Sequence, residues 1–211
     1  MTHPENSIIY PGVTWEGEFS LGPFSIVGLA PRGHTPGEHP TVIGDGAIIN
    51  SHTVMYFGNK IGRNFRTGHG VLIREDNRIG DDVSIGSGSN VEHHVRLGNG
   101  VRLHSNVFVP ELSVLEDLCW LGPNVVLTNA KYPASPTAKQ ELVGCYIEKG
   151  AKIGANTTIL PGIRIGAFAL VGAGSVITRD VPAGAVVVGS PARVINEVSK
   201  LSAYSKQRTN I

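Results

Sequence analysis

Several residue classes that usually announce a function are scarce in this chain. Only two cysteines occur, Cys119 and Cys145. They have no metal-ligand spacing and cannot build a disulfide framework, so a reducing, cytoplasmic setting is expected. Charge of one sign is missing too. Lys plus Arg number 18 against 17 Asp plus Glu, a net charge of +1. A balance this even leaves no electrostatic footprint for nucleic acid or an anionic membrane. Apolar runs last only a few residues, so no helix here could span a bilayer and no membrane insertion is expected. The opening, "MTHPENSIIYPG", lacks the basic and apolar blocks of a signal peptide. Aromatic residues are few, at 6%.

What is abundant is glycine, at 27 residues, without a collagen-like period of three. The period present is six. Every sixth residue from Ile43 to Leu127 is apolar except Thr67, over 15 positions. Glycine often follows, as at Gly44, Gly62, Gly80 and Gly98. A small or branched residue sits four places on, as at Ala47, Val71, Val83 and Cys119. The pattern resumes at Ile147 and runs to Ile177, with a shift that marks 131–146 as an inserted loop. A weaker run, Ile9, Trp15, Leu21 and Val27, opens the chain, and 29–41 reads as a second loop rich in Pro and Gly. Six is neither the helical 3.6 nor a plain strand period of two; it fits a short strand plus a turn, repeated. Glycine is expected to relieve the turns.

The motif aliphatic-Gly-x-x-small-x and the close "IGAFALVGAGSVITRDVPAGAVVVGSPARVI" resemble the hexapeptide-repeat acyltransferases. The resemblance implies an all-β, left-handed parallel β-helix of about eight coils over 1–190, with three hexads per coil. It further implies a homotrimer with active sites between adjacent prisms. The remaining 191–211 reads as a C-terminal helix, started by Pro191, and a tail.

With a coil of 18 residues, residues 18 apart stack at about 4.8 Å. One column then reads Glu75, His93, Glu111, Asn129; its neighbour reads Asp76, His94, Leu112, Ala130. A histidine between carboxylates should hold a proton readily and keep one tautomer, as a general base requires. A plain surface Glu–His stack of little energetic worth is the competing reading. "VEHHVRLG" is similar to the V-E-H-[DE]-x-x-[IL]-G segment of sialic-acid-type and bacillosamine-type sugar acetyltransferases, which implies that His93 is the base. Two departures are His94, where an acid is usual, and hexads beginning near Ile9, where those enzymes have a small nucleotide-binding domain. "GPNVVLTNAKYPAS" resembles the G-P-x-V-x-F-T-N-x-x-x-P-R-A segment of N-acetyltransferases acting on nucleotide-linked 3-amino sugars. That implies Asn129 at the substrate amine, although Ala134-Ser135 replaces R-A. Tyr132-Pro133 stands where the maltose and galactoside O-acetyltransferases carry a catalytic His-Pro.

His104, between Gly86 and Gly122 in its column, and His69, on a turn, are further acceptor-site candidates. Some hexapeptide trimers are zinc carbonic anhydrases, which need three histidine ligands and an open fourth position; no metal site is assigned here. For the donor, the resemblance implies acetyl coenzyme A along the C-terminal coils. Ala155, Gly172 and Ala173 would form the narrow wall, and Arg179 and Arg193 would partner the phosphates. The expected activity is direct acyl transfer to the amine of a nucleotide-linked amino sugar. The alternatives are a hydroxyl acceptor, a small amino acid, or a non-enzymatic β-helical scaffold.

Overall fold

The structure is a computed structural model that describes residues 4–205 of the chain. Three parallel sheets of nine, eight and ten strands form the faces of a left-handed β-helix. Most strands are two residues long and, outside the two insertions, pair with the strand 18 residues on, as Leu72 with Asn90 and Arg78 with Arg96. The nine strands of the first face mark nine coils rather than eight. Ile8–Ile9, Val13–Trp15 and Phe19–Leu21 complete a first coil despite their irregular hexads.

The six-residue period is the period of burial. Ile43, Met55, Ile73, Val91, Val109, Leu127, Ile147 and Ile165 are each 0% exposed. Each such side chain withdrawn from water contributes about 1.5–3 kcal/mol. The polar exception, Thr67, is satisfied inside: its hydroxyl meets Thr53 Oγ1 at 3.2 Å and accepts the Asn50 N–H at 3.0 Å.

The turns depart from expectation in one respect. The glycine after each aliphatic residue does not make the turn. It is there because the next coil is close: a Cβ on Gly98 would lie 2.5 Å from Asp117 Oδ1 and 2.6 Å from its backbone N. The left-handed residue is two places further on. It is Gly58 (φ +74°) in one coil and Asp76 (+58°), His94 (+55°) and Leu112 (+67°) in those that follow.

Both insertions leave the same edge, the first corner, between the first and second faces. One spans 30–40, between Ile26–Leu29 and Thr41–Ile43. The other spans 128–145, between Val126–Leu127 and Tyr146–Ile147. Leu29, Thr41 and Tyr146 thus belong to strands rather than loops. The C-terminal helix expected from 191 is largely a strand. Ala192–Glu197 pairs antiparallel with Ala185–Gly189 and closes the third face. β-branched Val194 and Ile195 favour that hairpin, and the helix that follows is a 3-10 turn at Val198–Lys200 and an α-helical turn at Ser202–Ser205 among the described residues. The tail at 206–211 lies outside them.

Candidate functional site

Strand register stacks Glu75, His93, Glu111 and Asn129 along the first corner. His93 Nε2 lies 2.5 Å from Glu111 Oε2. Nδ1 is buried without a hydrogen-bond partner, and its nearest acid is Glu92, at 3.8 Å. Glu75 does not complete the expected sandwich. Arg74 holds it through two bonds of 2.8 and 2.9 Å. Burial pushes the Glu75 carboxyl upward, but those bonds carry it below its usual range. Arg74 also lies 3.6 Å from Glu92 and 5.0 Å above the Tyr56 ring. Two groups near His93, Glu92 and Arg74, were therefore missed as site residues. Reading the column Tyr56, Arg74, Glu92 at the 18-residue spacing would have found them.

The corner backbone is held from inside. Asn59 and Asn77, both 0% exposed, donate Nδ2–H to the Arg74 carbonyl at 2.9 and 2.8 Å. Asn77 Oδ1 accepts the Val95 N–H at 2.7 Å. This amide ladder underlies the turns that carry Glu75 and His93. Asn129 accepts the Val143 N–H at its backbone oxygen, at 3.0 Å, which anchors the mouth of the second loop.

The other candidates lie elsewhere. His104 stands at the third corner, between the third and first faces, with its ring edge-on to Trp120 at 4.6 Å and Nε2 buried without a partner. Burial, and then the Arg102 charge, hold its imidazole below the usual value. His69 is an exposed turn residue tied to Ser51 Oγ at 2.8 Å and Ser87 Oγ at 3.0 Å. Ala155, Gly172 and Ala173 continue the His104 edge, packed against adjoining coils. Arg179 belongs to the His93 column, two coils beyond Asn129. Arg179 and Arg193 meet at a cavity of about 190 Å³ at the C-terminal end. Within one chain, the candidates therefore divide between the two edges that flank the first face.

Both thiols are buried, and burial pushes Cys119 up to about 12 and Cys145 up to about 11. Neither is a usable nucleophile at neutral pH. His34 and His39 have the spacing H-x-x-x-x-H. Their Nδ1 atoms engage Glu38 and Asp76, each at 3.0 Å, and no group of three metal-ligating side chains occurs among the described residues. No helix among them is long and apolar enough to cross a membrane.

Against known proteins, residues 78–111 and 144–179 match the family model "Bacterial transferase hexapeptide (six repeats)". Over 87 residues the chain is 41% identical to the 2,3,4,5-tetrahydropyridine-2,6-dicarboxylate N-acetyltransferase of Staphylococcus aureus, a match to 41% of this chain. The chain spans about a third (34%) of the length of that relative. Two solved structures share the fold over the whole chain and 79% of their own. They are the UDP-N-acetylglucosamine acyltransferases LpxA of Bacteroides fragilis (TM-score 0.78, 16% identity) and Moraxella catarrhalis (0.67, 20%).

Proposed function

We propose that this chain, which matches the hexapeptide-transferase family model over residues 78–111 and 144–179, transfers an acyl group, acetyl by default, from coenzyme A to the amine of a nucleotide-linked amino sugar. The observation that carries this reading is the His93–Glu111 pair with its orphaned Nδ1. An unmet buried acceptor costs about 1–3 kcal/mol, which an arriving proton offsets. The amine nitrogen attacks the thioester carbonyl, Nδ1 takes the nitrogen's proton, and the C–S bond breaks as the amide forms. The proton then passes to the departing thiolate. Asn129 orients the amine from two coils away, and no acyl-enzyme forms.

The donor lies along Ala155, Gly172 and Ala173, with its phosphates toward Arg179 and Arg193. A homotrimer packed through the first face unites the two groups, because each first corner then meets a neighbour's third corner. The outward residues Val54, Leu72, Phe108, Val126 and Val176 make that face mainly apolar, with Asn90 and Thr158 the polar members of the same row. A cytoplasmic setting suits two free, buried thiols.

Thiol release from acetyl coenzyme A, measured with amino-sugar acceptors, tests the activity. His93→Ala should lower kcat by about 10²-fold or more, while His104→Ala retains most turnover. The reverse pattern overturns the base assignment. The match to a dicarboxylate N-acetyltransferase favours a second reading, in which the acceptor is a small dicarboxylate. The same assay separates the two acceptors.

A further inference from the structure

On the second face, next to the His93 corner, three cations stand in register. Lys60 pairs with Arg78, and Arg78 with Arg96. All three are exposed, and no ion pair or hydrogen bond engages their side chains among the described residues. Like charges directly opposite one another on neighbouring strands destabilise a sheet unless something neutralises them. Other arginines do have an acidic partner. Arg164, in the same column, pairs with Glu148, Arg63 with Asp81, and Arg74 with Glu75.

The acids nearby are already engaged. Asp81 and Asp117 accept the Arg63 and Asn99 N–H groups at 2.8 and 2.7 Å. Glu116 accepts the Tyr146 hydroxyl at 2.5 Å and the Lys149 N–H at 2.9 Å. Glu16 closes the far end. Between these limits the three cations, with Lys149 at the Glu116 end, border an open groove of about 850 Å³, floored by Gly62, Gly80 and Gly98. On the third face the corresponding column reads Arg66, Ser84, Arg102, so its cations are not contiguous.

The position of the ladder gives it meaning. Arg78 follows Glu75 by three residues, and Arg96 follows His93 by three. Each Cα pair is at most roughly 10 Å apart. A carboxylate-rich strip (Glu75, Glu92, Glu111) therefore runs beside a cation-only strip. The pair is complementary to a molecule with an amine at one end and phosphates a sugar's length away.

We propose that Lys60, Arg78 and Arg96 bind the diphosphate of the acceptor while its amine lies at the His93 corner. This rests on the reading of that corner as an amine-acylating site, although phosphate binding can be measured without turnover. The ladder would make the chain selective for phosphate-bearing amino sugars over free ones.

Isothermal titration of the full chain with inorganic pyrophosphate is the test. The Arg78→Gln/Arg96→Gln variant should bind pyrophosphate at least about tenfold more weakly than wild type, the scale expected for lost charge-assisted bonds. Arg66→Gln, which removes an exposed cation from another face, should bind like wild type, and glutarate should bind more weakly than pyrophosphate. Equal affinity in the double variant, a comparable loss in Arg66→Gln or in Arg179→Gln, or glutarate binding as tight as pyrophosphate overturns the ladder. In the thiol-release assay the double variant should raise KM for a nucleotide-linked amino sugar and leave KM for the free amino sugar unchanged. Pyrophosphate binding without any acyl transfer would sink the proposed activity and keep the ladder. Acyl transfer without ladder-dependent binding would do the opposite.

Discussion

Glu75 and Glu111 lie above and below the same histidine, yet they do different work. Glu111 lies against His93 Nε2, whereas Glu75 is committed to Arg74. Glu111→Gln should therefore cut kcat while leaving the fold intact. Glu75→Gln should act mainly on stability. The Glu75 carboxyl is held below its ordinary 4.5, so its stabilising contribution is present above that pH and lost as pH falls through the lowered value. The Tm gap between wild type and Glu75→Gln should thus be widest near neutrality and shrink below about pH 4. A gap independent of pH would rule out the ionised Arg74–Glu75 pair as its source.

The turn is the element that decides how a coil closes. Its left-handed position suits Gly, Asn or Asp, but Leu112 and Leu118 occupy it at 45% and 57% exposure. A residue other than Gly, Asn or Asp there costs about 1–2 kcal/mol. Leu118, at the second corner, is away from the His93 column, so Leu118→Asn should raise Tm, with a gain of about 1 kcal/mol. Thermal unfolding followed by circular dichroism checks this, and a fall in Tm would mean that the exposed leucine has a packing partner. Leu112 lies in the His94 column, beside Glu111, where an exposed apolar side chain borders the proposed acceptor site.

For the whole molecule, the question is how two separated edges become one site. The proposed trimer answers it through the apolar first face. Phe108→Glu places a charge in the middle of that face and should convert trimer to monomer in light scattering, with loss of acyl transfer and an unchanged far-ultraviolet spectrum. A mass that does not change would remove the first face from the assembly.

The six-residue period predicts a short strand and turn, repeated, and burial follows that repeat residue by residue; the left hand and the three-hexad coil came with the hexapeptide resemblance, because a period fixes neither. Once that coil length is given, the sequence aligns Glu75, His93, Glu111 and Asn129. It could not show which neighbour each side chain prefers. Arg74 captures Glu75, Glu92 approaches His93, and Asn77 braces the turn, because side-chain reach and competition among charges depend on three-dimensional distance. The hairpin at Ala185–Glu197 was equally hidden, because its pairing depends on the free edge of the last coil rather than on the repeat. Only the tertiary structure revealed that both inserted loops and the His93 column share one edge, with an unpartnered basic ladder on the adjoining face.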